Sequence, residues 1–234
     1  MKIKRQIIAM GGGGFSMEPE NPLLDLYILK QSNKNIPKIC FLGTASGDSE
    51  GYIENFYKSF SKMDCDPSHL SLFRPHTNQV EKFILSQDII YVGGGNTKNM
   101  MVLWKEWNIH KALKKAYKQG IILSGLSAGS ICWFEHGASD SIPGRLTRVN
   151  GLGFIEGSTC PHYDGESNRK PEYRRLLKGQ KVKNGIALDD GAAVHFINEE
   201  FYKSVSSRPN AKAYKLYRKD SDIIEESLLT EYLG

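Results

Sequence analysis

The chain has 234 residues, 40% of them hydrophobic, with 31 Lys and Arg against 26 Asp and Glu. That supplies apolar material for one sizeable core, read as a single domain over residues 1–234, and its charge is too mixed for a polyanion-binding surface. No zinc-knuckle or RNA-binding signature accompanies the basic clusters at 111–118 and 203–219, and no apolar run approaches a membrane span, so neither a nucleic acid nor a membrane is expected as partner.

The four cysteines are far apart with no Cys-x-x-Cys, which predicts reduced thiols. The apolar stretch 7–10 stops at four glycines, too short for a signal peptide, and Lys2, Lys4 and Arg5 precede it. A cytoplasmic protein is expected.

Apolar runs alternate with helix-like segments through the first half, the pattern of a parallel sheet covered by helices on both faces. Residues 5–10 read as the first strand, and 11–14 as a glycine loop before a helix around 23–30. A second strand spans 36–44. Its amphipathic helix follows at 49–63, where Tyr52, Ile53, Phe56, Tyr57 and Phe60 fall at helical spacing and read as core. Residues 68–73 are a third strand, 79–85 a short helix, and 88–92 a fourth strand opening into Gly93-Gly94-Gly95-Asn96-Thr97. Helices at 99–107 and 109–119 lead to the fifth strand, 120–125. Beyond it come a helix-like Ser-Ile-Cys-Trp-Phe, strand-rich stretches at 145–160 and 185–206 with a hairpin at Asn198-Glu199-Glu200, and a helix at 171–178.

Gly125-Leu126-Ser127-Ala128-Gly129 closes the fifth strand and has the form of a nucleophile elbow, where a sharp strand-to-helix turn thrusts a hydroxyl into solvent. The plain alternative is a close-packed turn of small residues. A serine needs a base, and of the six histidines His162 stands out. His69, His76 and His110 lie at element edges facing solvent, His136 reads as loop, and His195 alternates with Val194 and Phe196 as an ordinary strand residue. Cys160-Pro161-His162-Tyr163-Asp164 instead follows a strand directly, and the proline presents the imidazole at the sheet's end. For the orienting acid, Leu188-Asp189-Asp190-Gly191 brings a carboxylate to the same edge, and the glycine favours Asp190 over Asp189. Asp140, just past the elbow, is the rival, and any of the three also suits a turn. The order Ser, His, Asp argues against an ordinary α/β-hydrolase. The Gly93–Gly95 loop offers backbone N–H groups for half an oxyanion hole, with Ala128 N–H as the other half. It competes with a phosphate-cradle reading, but neither this loop nor 11–14 has Walker or dinucleotide spacing.

Taken in order, Gly93-Gly94-Gly95-Asn96-Thr97, Gly125-x-Ser127-Ala128-Gly129, Pro161-His162-Tyr163 and Leu188-x-Asp190-Gly191 resemble the peptidase E family of serine peptidases, which includes the cyanophycinases. The resemblance covers nearly the whole chain. It implies an α/β three-layer sandwich with a mostly parallel central sheet, flavodoxin-like and similar to class I glutamine amidotransferases, with a strand-rich C-terminal part. It further implies Ser127 as nucleophile, His162 as base, Gly94 with Ala128 as the oxyanion hole, and no metal or organic cofactor. The third member is Asp190, where peptidase E carries a glutamate, or Asp140. Peptidase E removes N-terminal aspartate, so a cation for that carboxylate is expected from Arg169, Arg174 or Arg175, with Arg169 first and Asn96 a further substrate contact. The family's Gly-Glu-Thr-Arg is here Gly165-Glu166-Ser167-Asn168-Arg169. The reading is therefore a serine exopeptidase acting on Asp-Xaa bonds of short peptides, as monomer or homodimer. The alternatives are a hydrolase of other acyl or isopeptide (cyanophycin-like) bonds, or a binding protein on the same scaffold.

Overall fold

The computed structural model describes residues 3–165 and 167–234, so Lys2 and the motif residue Glu166 lie outside the described residues. The first half alternates strand and helix: β1 (Gln6–Met10), α1 (Gly14–Met17), α2 (Leu23–Leu29), β2 (Lys38–Leu42), α3 (Glu50–Phe60), β3 (Asp66–His69), α4 (Val80–Leu85), β4 (Ile89–Val92), α5 (Thr97–Glu106), α6 (Ile109–Lys118) and β5 (Ile122–Leu126). A four-residue helix, α7 (Ala128–Ile131), separates it from a half dominated by strands. These are β6 (Phe134–Ser139), β7 (Thr147–Asn150), β8 (Ile155–Cys160), then α8 (Arg169–Lys178), then β9 (Gly185–Leu188), β10 (Ala192–Ile197), β11 (Glu200–Ser206), β12 (Ala213–Lys219), β13 (Asp222–Ser227) and β14 (Thr230–Tyr232).

The main sheet runs β14-β11-β10-β1-β5-β4-β2-β3, and its segment from β1 to β3 is parallel throughout. Side chains on a strand alternate between faces. Ile7, Ala9, Cys40, Leu42, Ile90 and Val92 accordingly enter one core with Ile84, Met100, Trp104 and Leu113 of α4, α5 and α6. Their neighbours Ile8, Met10, Ile39, Phe41, Ile89 and Tyr91 enter a second core on the opposite face with Leu24, Ile28, Phe56 and Phe60 of α2 and α3. This is the three-layer α/β sandwich of flavodoxin-like type. A second sheet, β13-β12-β9-β8-β6-β7, packs Ala187 and Leu216 against Tyr173, Leu176 and Leu177 of α8.

Four sequence readings shift. The third strand is 66–69 rather than 68–73, because Asp48 captures the chain beyond it: its Oδ2 accepts from Ser71 Oγ, Leu72 N and Phe73 N at 2.8, 2.6 and 3.0 Å. The helix after the elbow stops at Ile131, since the Cys132 and Trp133 carbonyls accept from Leu152 N, Phe154 N and Ile155 N rather than from a further helical turn. His136 is therefore a strand residue of β6, opposite Asn150, and not in a loop. Residues 213–232, read only as charge up to 219 and given no element, form β12 to β14; their charged residues mask the strands that bury Leu216 and Ile223. The hairpin at 198–200 is present, with Asn198 and Glu199 at φ of 51° and 70°, the two positive values a tight hairpin turn demands. Among the described residues no helix is long and apolar enough to cross a membrane.

Candidate active site

Ser127 ends β5 with φ 54° and ψ −113°, a conformation a residue with a Cβ adopts only under constraint. The constraint is close packing. A Cβ on Gly129 would lie 2.1 Å from Val92 O, and one on Gly125 2.5 Å from Gly129 O, so the turn can be this tight only with glycine on both sides of the serine. Ser127 N donates to Met10 O at 3.2 Å, which ties the elbow to the end of β1.

The same end of β1 holds the second half of the site. Gly11 N donates to Ala192 O at 2.9 Å and Gly191 N to Gly12 O at 3.0 Å, and Gly12 bridges Asp190 in parallel. The glycine run that reads in sequence as a loop is thus the seam joining the two halves of the chain. A Cβ on Gly12 would meet Asp190 Oδ1 at 2.1 Å, and one on Gly165 would meet Oδ2 at 2.4 Å, so the carboxylate is lodged between two bare backbones. Asp190 N donates to Asp164 Oδ1 at 2.8 Å, which fixes the turn from its other side.

His162 follows Pro161 with φ 54°, and Tyr163 N donates to Leu188 O at 2.9 Å, holding the histidine over the 188–191 turn. His162 Nδ1 lies 2.6 Å from Asp190 Oδ1, and both side chains are largely buried. Burial pushes the Asp190 carboxyl pKa up. The hydrogen bond and charge of His162, with Arg208 and Arg169 beyond it, outweigh that and hold it below the usual carboxylate value. Fixed at Nδ1, the imidazole keeps Nε2 for other chemistry.

Asp189 faces away. Its Oδ2 accepts from Lys212 N at 3.0 Å and Tyr214 Oη at 3.2 Å, and burial raises its pKa. Asp140 does not join His162 either: its Oδ2 accepts from an Arg169 guanidinium nitrogen at 3.1 Å. That guanidinium is 3% exposed, whereas the Asp140 side chain is 63% exposed. Arg174 is engaged by Glu225 and the Ile223 carbonyl, and Arg175 by Glu172 and the Leu146 carbonyl. Asn96 uses both ends of its side chain locally, accepting from Asn99 N at the start of α5 and donating to Ser141 O, each at 3.0 Å.

Gly94 stands against the serine, with the position of its absent Cβ 3.4 Å from Ser127 Cβ and 3.7 Å from Oγ. Its N–H donates to the Tyr52 hydroxyl at 3.2 Å. Sequence reading assigned Tyr52 to the core, and its ring does pack on Phe15 and Phe41, but its hydroxyl reaches the glycine loop. The sole signal in the sequence is that it is a tyrosine among phenylalanines, whose hydroxyl needs a partner when buried. Ala128 is 1% exposed and opens α7. Three of the remaining histidines are committed elsewhere. His195 is buried with Nδ1 2.8 Å from Tyr27 Oη, while His69 Nδ1 lies 2.9 Å from Tyr57 Oη and His110 Nδ1 3.1 Å from Trp104 O. His76 is exposed beside His69.

Residues 7–204 match the sequence profile of Peptidase family S51. The chain is 54% identical over 98% of its length to the uncharacterized peptidase YgaJ of Bacillus subtilis (strain 168), all of which it covers. It is 24% identical over 71% of its length to the uncharacterized peptidase Lin0382 of Listeria innocua, covering 86% of that protein. Among solved structures it is similar to a peptidase from an acI-B1 Actinobacterium, with TM-score 0.70, 18% identity and coverage of 99% of this chain and 96% of that one. A putative peptidase E protein from Listeria monocytogenes EGD-e superposes with TM-score 0.62 and 16% identity over 85% of this chain and 97% of the other. At such identities the structural likeness concerns the fold.

Proposed function

Because the chain belongs to peptidase family S51 and is a serine-type peptidase of the peptidase E type, we propose that it hydrolyses short peptides at N-terminal Asp-Xaa bonds through an acyl-enzyme on Ser127. The observation that carries the reading is the 2.6 Å hydrogen bond of His162 to Asp190 at the sheet end where Ser127 sits on its strained turn. His162 Nε2 takes the Ser127 proton as Oγ attacks the scissile carbonyl, and returns it to the leaving amine. Asp190 holds the tautomer and stabilises the imidazolium. Gly94 and Ala128 N–H groups receive the oxyanion, which requires the Tyr52 hydroxyl to yield its hold on Gly94 N when substrate arrives. Water then repeats the cycle on the acyl-enzyme.

Arg169 is the cation for the substrate's aspartate side chain, its guanidinium within the field of Asp190 and bonded to the exposed Asp140. A bidentate clasp of a carboxylate by arginine is what makes a charge-selective pocket. That Asp140 already engages Arg169 favours a second reading, hydrolysis of another acyl or isopeptide bond, in which Arg169 orders the 140s loop and selects no charge. Steady-state kinetics on Asp-Leu, Asn-Leu and Leu-Leu dipeptides decide between them. The proposal expects kcat/KM for Asp-Leu to exceed the others by about 100-fold; equal values for all three would reject the acidic pocket. Fluorophosphonate labelling of wild type but not of Ser127→Ala tests the nucleophile separately.

A further inference from the structure

A groove of about 610 Å³ runs between the outer face of α5 and residues 147–152, with Ile142 of the 140s loop in its wall. Two features of its walls have no part in the peptidase chemistry. Lys98, Met101, Val102 and Lys105 follow i, i+3, i+4, i+7 spacing and so share one face of α5. Val102 is 64% exposed and Ile142, across the groove, 46%. The stripe is apolar at its centre and cationic at both ends. Secondly, β7 is an end strand of the second sheet, paired among the described residues with β6 alone. Its four consecutive residues all line the groove. Since strand side chains alternate between faces, a run of consecutive residues lines a cavity when the cavity looks onto the strand's edge. An unpaired row of backbone donors and acceptors therefore borders an apolar trough.

The charge is one-sided. Arg148 on β7 adds a third cation, with its guanidinium on the neutral oxygens of Asn150 and Lys181, and no aspartate or glutamate among the described residues lines the groove.

We propose that this groove binds extended acidic peptide segments by strand addition to β7. Main-chain hydrogen bonds along an edge give such binding its affinity, and pockets for alternate side chains give it selectivity. Here one set of alternating side chains would rest on Met101, Val102 and Ile142, and acidic groups would meet Lys98, Lys105 and Arg148. The proposal stands apart from the hydrolytic reading, because the groove's walls as described include none of Ser127, His162, Asp190 and Arg169, and it holds whichever bond Ser127 cleaves.

The test is fluorescence anisotropy of a short, N-acetylated, C-terminally labelled peptide of alternating Glu and Val against the full chain carrying Ser127→Ala. The expectation is saturable binding, weakened by at least about tenfold in Lys98→Glu/Lys105→Glu or when salt rises from about 0.05 to about 0.5 M. Circular dichroism checks that the exposed charge swaps leave the fold intact. A Lys and Val peptide should not bind, nor should the Glu and Val peptide N-methylated at alternate amides, which cannot donate to a strand edge. Absence of binding, or equal binding of the acidic and basic peptides, would overturn the proposal. Indifference to N-methylation would overturn strand addition. A wild-type oligomer in sedimentation that Val102→Glu disperses would mean that a second copy fills the groove, and would overturn it too.

Discussion

Residues 6–126 and residues 134–232 reach the same site by different physics. In the first half, parallel strands buried on both faces deliver one serine, and everything that shapes its turn lies within a few residues of it or on the adjacent strand: Gly125, Gly129 and the Val92 carbonyl. In the second half, His162 and Asp190 are 28 residues apart on the connections leaving β8 and β9, and nothing local brings them together. They meet because Tyr163 hangs on Leu188 and because 188–192 is stitched to the glycine run after β1. The Ser127 turn is a local strain device, while the His162–Asp190 pair is a long-range assembly. Substitutions should therefore separate a half that fails by losing a reacting atom from one that fails by losing alignment.

The largest effect is expected from removing reacting atoms on either side of this divide. Ser127→Ala and His162→Ala should each lower kcat by about 10⁴ to 10⁶, and the double variant should be no worse than either, since groups that act as one unit are strongly non-additive. Single-turnover and steady-state rates on an Asp-Xaa dipeptide measure this. Multiplying losses in the double variant would mean that His162 does not serve Ser127.

Next comes alignment within the second half. Asp190→Asn should cost about 10³ to 10⁴ in kcat with the fold intact, because the amide holds the wrong imidazole tautomer. Asp140→Asn should leave kcat within about tenfold and act on KM, through Arg169. The opposite ranking would break the pairing of Asp190 with His162.

A smaller loss should come from the seam, by a residue that belongs to the first half and touches the second. Gly12→Ala drives a methyl into Asp190 Oδ1, so kcat should fall by about 10- to 100-fold, since small misplacements of a catalytic group carry penalties of that order. Gly51→Ala is the control. It lies on α3, where an added Cβ meets nothing within 4 Å, and both rate and thermal midpoint should be unchanged or raised.

The same division explains what was legible in the sequence. The parallel half could be read almost element by element, because each buried strand is a short apolar run and each helix shows its own period. The elbow was legible because its cause is local. In the second half β12 and β13 were hidden, as Tyr214, Leu216 and Tyr217 are interspersed with Lys215, Arg218 and Lys219, Ile223 and Ile224 are flanked by Asp222 and Glu225, and the turn signal between them is no stronger than Asp220. The role of 11–14 was hidden for a deeper reason. Gly11, Gly12 and Gly13 answer to residues 188–191, and a requirement set by a contact some 180 positions away leaves no mark in the local pattern beyond the glycines themselves. Asn96 shows both, a motif residue whose Oδ1 has the local duty of a helix cap while its amide nitrogen donates to Ser141 O, 45 positions on.

The last and smallest effect concerns stability. Asp25 in the first half and His195 in the second are both buried, and their effects oppose each other. Asp25 on α2 is fully buried, accepting from Tyr91 Oη at 3.1 Å, while its Oδ2 has no partner among the described residues. Burial, with a smaller push from Glu18, raises its pKa to about 7. His195 on β10 is equally buried, with Nε2 likewise unpartnered among the described residues, and burial, aided by Lys4 and Lys203, lowers its pKa to about 4. For Asp25 the folded state keeps a proton that the unfolded chain has released, so its contribution is present at low pH and lost as pH rises from about 4 to about 7. For His195 the unfolded chain takes up a proton that the folded state refuses, so its contribution is present above about pH 6.5 and lost as pH falls to about 4. Over the shared window each slope is about 1.4 kcal/mol per pH unit and of opposite sign, so these two contributions to wild-type stability should nearly cancel there. Urea unfolding at several pH values between these limits checks it. Asp25→Asn should leave the histidine slope alone, with stability falling on acidification, and His195→Gln should leave the aspartate slope alone, with stability rising. Three parallel curves would show that neither half withholds its buried group from solvent protons.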